Sequence, residues 1–328
     1  MGTSSAYEEF NARVRQDSVA RGDTYLNAPL YYLLTGRKGA WVHEGYGAVL
    51  VVCKHPNVDG RLLVFPEIGA PDRKDKGRLT ASILANLTPP SMGVQLARYN
   101  DEDMQAVRDA LSCRNDRTPD SIEIMTEDVL DWRYPVHVLD TNRVALLQGG
   151  AFIKIRNKCH QVESRVDTIA LDDPRALRTM RAALKYWEGS VLLREGSQDS
   201  DLSYYMALFT MIETWPHLFG GHVYMDGKRP VGFTVHDKAF KGTANLLANL
   251  CDASITGMAD YQVVHTCRAL AGSDVSGLNF GGSETASLDA FKRKFSPKES
   301  FNIASGAVNY APRQDINIRS SILVPEPA

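Results

Sequence analysis

The 328-residue chain has no long hydrophobic run, no closely spaced cysteine pair and no strong excess of charge of either sign. Its most apolar stretch, Ala48 to Cys53 (AVLVVC), is the length of a strand, against the roughly 18 residues that a membrane helix needs. The opening MGTSSAYEEFNARVRQ has no apolar signal core, and Ala6 stands where a myristoylation signal needs Ser or Thr. These absences predict a chain without a membrane span, working in the cytoplasm. The five cysteines, Cys53, Cys113, Cys159, Cys251 and Cys267, are odd in number and scattered without a CxxC. That predicts reduced thiols rather than a disulfide frame. A net charge of −2 argues against wholesale coating of nucleic acid, while leaving room for a local basic patch.

Missing motifs remove whole classes of chemistry. There is no GxGxxG, GxxxxGK[ST], HExxH or GxSxG, which sets aside dinucleotide binding, P-loop phosphate binding, zinc proteolysis and the nucleophile elbow. The eight histidines show no spacing with cysteine that would ligate a metal, so no metal site is expected.

What remains is core material in an α/β order. Hydrophobic residues make up 44% and charged residues 23%, enough for one large domain or two of about 150 residues. Segments 39–56, 60–69 and 93–99 read as strands, 79–88 and 101–113 as helices, and RNDRTPDS (114–121) as a turn-rich break. In the second half, 152–165 places Phe152, Ile155, Cys159 and Val162 on one helical face. Residues 202–215 read as another helix, and GGHVYMDGKRPVGFTVHDKA (220–239) as a hairpin, with HVYM (222–225) and PVGFTVH (230–236) as its arms around the turn DGK. TANLLANLCD (243–252) fits helix or strand, and is followed by helix, strand and helix. The expected class is α/β (α+β), with a first unit over 1–130 and a second over 131–328.

Two basic segments stand out. On the 152–165 helix Lys154, Lys158 and Arg165 fall within about 40° of one another at 100° per residue, opposite the apolar face, with Arg156 flanking that face. By itself this is a solvated stripe; with a polyanion it is a phosphate-contacting one. The stretch LNFGGSETASLDAFKRKFSP (278–297) joins a strand, a Gly281–Gly282 turn and a helix ending in Lys292, Arg293 and Lys294. The turn permits close approach to a helix N-terminus, where an anion or oxyanion is welcome, while the cations also suit plain end-capping. His236, Asp237, Asp252 and Asp260 read as surface or structural residues before they read as general bases.

The segment VLDTNRVALLQGGAFIKIRNKCHQ (138–161), then DLSYYMAL, DGKRPVGFTV and LNFGGSETASLDAFKRKFSP, resembles in order the DUF2156 family. That family includes the C-terminal domain of phosphatidylglycerol lysyltransferases and is related to the Fem transferases. The resemblance covers about 132–297. It implies a tandem GNAT fold of two acyltransferase-like units, with the active site in the second. PVGFTVH is followed by DKAFKGTANLLANL, without the [RQ]xxGx[GA] loop that grips acyl-CoA, and relatives lacking that loop use aminoacyl-tRNA. The expectation is a transferase that forms an amide between a tRNA-borne amino acid and an amine of a small molecule, in biosynthesis. Aminoacyl-tRNA would be the co-substrate, with no other cofactor. The alternatives are an acyl-CoA-dependent N-acyltransferase and a non-catalytic tandem-GNAT protein binding RNA or a nucleotide. Carried over from the RNK motif are Arg156, Asn157 and Lys158, with Lys154 and Arg165 beside them. Asn279, Gly281 and Gly282 come from NFGG, and Lys292 and Lys294 from FK.KF. Asn279 is expected at the catalytic centre together with Asp252, the candidate for holding an ammonium.

Overall fold

The computed structural model describes residues 29–69, 75–87, 92–113, 119, 121–126, 133–195, 202–237 and 242–310, with side chains described up to 189 in the helix that ends at 195. In chain order the elements are α1 (Pro29–Thr35), β1 (Ala40–Gly45), β2 (Ala48–Lys54), β3 (Leu62–Val64), α2 (Arg78–Asn86), β4 (Val94–Tyr99), α3 (Asp101–Ser112) and β5 (Ser121–Ile124). Then come β6 (Val136–Asp140), α4 (Thr141–Leu146), α5 (Ile153–Glu163), β7 (Asp167–Ala170), α6 (Ala176–Glu195), α7 (Ser203–Thr214), β8 (Phe219–Asp226), β9 (Arg229–Asp237) and β10 (Gly242–Cys251). The chain closes with α8 (Met258–Leu270), β11 (Val275–Asn279), α9 (Ala286–Arg293), β12 (Glu299–Phe301) and β13 (Ala304–Asn309).

The chain forms two compact units, each with a mixed sheet, matching the expected α/β class in two units. The sequence reading placed one boundary at 130/131. Among the described residues the first unit runs to Val136 and also holds Gly282–Ala286 and Phe301–Tyr310. Its sheet has the order β1-β2-β3-β4-β13-β5, so the last strand of the chain lies between two early ones. The segment read as one strand over 39–56 is a hairpin. Gly45 pairs with Ala48, and Tyr46 and Gly47 take φ of 52° and 74° to make the two-residue turn, the backbone that matches strand twist. Asn100 caps α3 by accepting the Asp103 N–H at 2.7 Å. Three acids in that helix's first turn suit its dipole. The N-cap of α2 is Gly77, which has no side chain to cap with. The buried Glu67 does this work from a distance, accepting the Gly77 and Thr80 N–H groups at 2.9 and 2.6 Å.

The second unit has the sheet order β12-β6-β11-β10-β9-β8-β7. The 222–236 hairpin is present as β8 and β9. TANLLANLCD resolves as strand β10. Ala244, Leu246, Leu247, Ala248, Leu250 and Cys251 make it near-continuously apolar, as a strand covered on both faces requires. Val223 pairs with Phe233, so Phe233 and Tyr224 lie on opposite faces of the sheet. Phe209 of α7 meets Phe233 edge-on at 5.7 Å, and Tyr261 of α8 meets Tyr224 at 5.9 Å. The expected face of α5, Phe152, Ile155, Cys159 and Val162, is buried in the core shared with α4 and α8. Helix α6, absent from the sequence reading, carries Ala176, Met180, Ala183 and Leu184 inward; the small alanines weakened its periodic signal. Among the described residues no helix is long and apolar enough to cross a membrane, and all five cysteines are free thiols.

Two tests of this packing follow. Gly77 has φ of 81°, and a Cβ there would lie 2.4 Å from the Ala106 carbonyl oxygen. Gly77→Ala should therefore destabilise the first unit by about 2–3 kcal/mol, read by urea denaturation. The second concerns His265 on α8, packed against His222 at 4.5 Å and within 3.3 Å of the Tyr224 hydroxyl. Burial, with His222 and Arg268 nearby, lowers its pKa from 6.5 to about 4. The unfolded chain therefore takes up this proton first as pH falls. Stability should drop between pH 6.5 and about 4, by about 2 kcal/mol for a partly screened ring. His265→Gln should flatten that part of the stability–pH curve.

Candidate functional site

The site of interest begins where β10 leaves β11. Parallel pairing runs from Gly242↔Val275 to Asn245↔Asn279 and ends there, while β10 continues beside β9 to Cys251. Between Leu246 and Ala248 the β10–β9 register shifts, which places Leu247 in a bulge. The carbonyls of Leu247 and Leu250 are taken by side chains, Tyr204 Oη at 2.7 Å and Gln262 Nε2 at 2.9 Å. A buried polar chain fixes the parting point. Asp237 accepts the Asn245 backbone N–H and Nδ2, each at 2.6 Å. Asn279 Nδ2 donates to Asn245 Oδ1 at 2.8 Å, and Asn279 Oδ1 accepts the Gly281 N–H at 2.9 Å. Asn279, 4% exposed, thus ties β11 to β10, and the Gly281 N–H is engaged within the protein. Gly281 has φ of 69°, the left-handed conformation that glycine adopts without cost; Gly282 is buried.

The strand before α8 is β10, and the loop between them runs from Asp252 to Gly257. Gly257, with φ of 86°, precedes α8. A Cβ at Gly257 would lie 2.8 Å from Lys158 Cβ, so this glycine lets the α8 N-terminus approach α5. In the first turn of α8 sits Asp260, 4% exposed. Its Oδ2 faces Lys158 Nζ at 3.6 Å, and its Oδ1 pairs with Lys294 Nζ from just after α9. One buried carboxylate therefore gathers two ammonium groups at a helix N-terminus, and the trio keeps a net positive charge. Burial holds the Lys294 pKa below the ordinary lysine value, with Asp260 opposing that shift and Lys158 adding to it. The Lys294 ammonium lies 3.9 Å over the Phe291 ring. Cys159, on the buried face of α5, has its thiol pushed up to about 12 by burial.

The remaining expected residues fall in different surroundings. Lys154 and Asn157 are exposed on α5. Arg156 reaches inward, as its position on the helix predicted, and donates to the Leu147 carbonyl at 2.7 Å. Arg165 lies past the end of α5 and bonds Asp226 at 2.5 Å. Asp226 also faces Arg229 at 3.5 Å, and Arg229 in turn holds Asp252 at 2.9 Å. Asp252 also accepts the Ser254 N–H at 2.8 Å. Burial works to raise the Asp252 pKa, but the Ser254 and Arg229 contacts bring it below the usual range. Both of its oxygens are occupied in a turn-closing role. Lys292, in the last turn of α9, is 6% exposed, with its ammonium 5.4 Å from the Phe280 ring. The sequence reading placed Asp260 among structural acids and so missed the residue that joins the RNK and FK.KF motifs. Its spacing from Gly257, in the first turn of an uncapped helix, was the available signal.

The first unit has a cleft of its own, about 870 Å³, lined by Tyr46, Arg78, Asp101, Glu102, Gln105 and Asp109 among others. Lys76 and Arg78 line it too, so its charge is mixed, whereas the Lys158–Asp260–Lys294 cluster of the second unit is net positive.

If Asp260 gathers the two lysines, Asp260→Asn should leave two ammonium groups facing each other. A loss of about 1–3 kcal/mol is expected, below the range for a fully buried pair because both lysines are partly exposed. Adding Lys294→Met should recover part of it. A double-mutant cycle by urea denaturation measures the coupling.

No family model matches the sequence, and no curated protein matches it. Solved structures do. A conserved protein of unknown function from Bacteroides thetaiotaomicron is 11% identical over 90% of this chain and 92% of that one, with a TM-score of 0.64. The C-terminal DUF2156 domain of an Agrobacterium fabrum protein assigned as a lysylphosphatidylglycerol synthetase is 12% identical, covering 94% and 93%, with a TM-score of 0.61. L-PGS from Bacillus licheniformis is 13% identical, covering 88% of each chain, with a TM-score of 0.57. These identities speak for the fold alone. The chain shares the fold of these structures, a DUF2156 domain among them.

Proposed function

We propose that this chain is an acyl-group transferase whose donor is an aminoacyl ester on tRNA and whose acceptor is an amine of a small molecule. The observation that supports this most is the Lys158–Asp260–Lys294 cluster in the first turn of α8, the helix that follows β10. Phosphate is drawn there by two ammonium groups and by the helix dipole together. Lys154 lies one turn from Lys158 on the same helix and extends the positive track.

Ester aminolysis to an amide is downhill, so the protein's task is to position the partners and manage one proton. The amine attacks the ester carbonyl, its extra proton is removed, and the ribose oxygen leaves as a hydroxyl. Lys158 and Lys294 hold the donor's phosphates, and Asp260 keeps both ammonium groups at the site. Arg156 fixes α5 against the end of α4, and Asn279 fixes the parting of the strands. The tRNA-borne donor is what the DUF2156 resemblance implies, and the fold is shared with L-PGS from Bacillus licheniformis. An acyl-CoA donor is favoured by one feature, the left-handed Gly257 before α8, because a pyrophosphate would use the same cations.

The experiment offers radiolabelled aminoacyl-tRNA or acetyl-CoA to a pool of small amines and identifies amide products by mass. Transfer from aminoacyl-tRNA is expected. Lys158→Ala with Lys294→Ala should lower it by about 10²-fold, while exposed Lys154→Ala keeps the fold and reduces the salt slope of tRNA affinity by about 1. Transfer from acetyl-CoA alone would establish the alternative donor, and tRNA binding without any product would make this a binding protein.

A further inference from the structure

A second set of groups lies apart from the cationic cluster. His137 on β6 is 2% exposed and Asp289 on α9 is 5% exposed. His137 Nε2 lies 2.8 Å from Asp289 Oδ1, and His137 Nδ1 lies 2.8 Å from Ser300 Oγ on the edge strand β12. The other Asp289 oxygen is held by Arg293 Nε at 2.8 Å. Ser300 itself is exposed.

With Asp289 ionised and His137 neutral, the hydrogen-bond inventory gives this chain one direction. An ionised carboxylate only accepts, so His137 Nε2 carries the proton it shares with Asp289. In the neutral ring Nδ1 is then bare, and its partner can only be the Ser300 hydroxyl, which donates. The result is a serine O–H pointed at an imidazole that a buried carboxylate orients. Serine proteases present the two ring nitrogens in the opposite order, with the same division of labour. A structural role explains this set less well. A hydrogen bond to an exposed serine adds little stability, whereas enclosing a carboxylate and an imidazole costs solvation.

The geometry points to Ser300 as a nucleophile with His137 as its general base and Asp289 as the positioning residue, acting on small carboxylic esters. In the first step Ser300 Oγ bonds to the acyl carbon and the ester C–O bond breaks. The serine proton passes to His137 Nδ1 and then to the departing alkoxide, releasing an alcohol. In the second, water attacks the acyl-serine, gives its proton to Nδ1, and the restored serine hydroxyl takes that proton as the carboxylic acid leaves. The sum is ester plus water giving acid plus alcohol. This activity is independent of the donor used at the cationic cluster.

The test treats the whole chain with a fluorophosphonate probe and maps the adduct by mass spectrometry. A single adduct on Ser300 is expected. Ser254, exposed on a turn, is the internal reference and should stay unmodified. Ser300→Ala should abolish labelling, together with the burst of phenolate from a nitrophenyl ester. His137→Gln, if it folds by circular dichroism, should slow labelling by about 10²-fold. If it does not fold, the ratio of Ser300 to Ser254 labelling in the native chain decides. No adduct on Ser300, a rate equal to that of Ser254, or undiminished labelling in folded His137→Gln would overturn the assignment.

Discussion

The second unit depends on one constraint, that two parallel strands pair for a short distance and then part. A sheet does not open by itself, because each further residue of pairing satisfies backbone groups that otherwise need partners. The opening between β10 and β11 is held by side chains that stand in for the missing ladder. Asp237 secures the Asn245 backbone and amide, Asn245 receives Asn279, and Asn279 receives the Gly281 N–H. Past that point Tyr204 and Gln262 occupy two carbonyls of β10. The polar chain is satisfied link by link, which is the condition under which a buried network gives rigidity instead of strain.

From that opening the cationic cluster follows. Helix α8 starts after β10 and must pack closely on α5, which Gly257 permits. Its first turn delivers Asp260 to a place where α5 offers Lys158 and the chain after α9 offers Lys294. Three segments far apart in sequence therefore meet around one carboxylate. Burying that acid would be costly with no cation beside it, so fold and charge arrangement constrain each other.

How much of this was legible in the sequence depended on how local the signal was. The apolar face of α5 and the β8–β9 hairpin were, because periodicity and turn residues act over a few positions. The β1–β2 turn was not, since Tyr46 takes a left-handed conformation that its identity does not announce. β10 stayed ambiguous because a strand covered on both faces loses its alternation. At the site, the RNK and FK.KF motifs marked Lys158 and Lys294 without showing that they face a common partner. Asp260 looked ordinary because its role comes from long-range packing. Lys292 and Lys294 looked equivalent two residues apart, yet one lies against Phe280 and the other against Asp260. Asp252 drew attention as an acid at a strand end, and the structure engages it with Arg229 and Ser254.

The position of β13 has a consequence for the order of events in synthesis. β5 has β13 as its neighbour in the sheet, and β13 separates it from β4. Gln95 and Ser305, which bond across that seam, lie 210 residues apart in the chain. A ribosome therefore releases every residue of the second unit while the first sheet still has a gap where its fifth position belongs. Closing a loop of that length costs entropy, and less of it when the intervening chain has already condensed. The unit made later is thus placed to finish folding earlier, and the N-terminal sheet waits for the last strand to thread between β4 and β5.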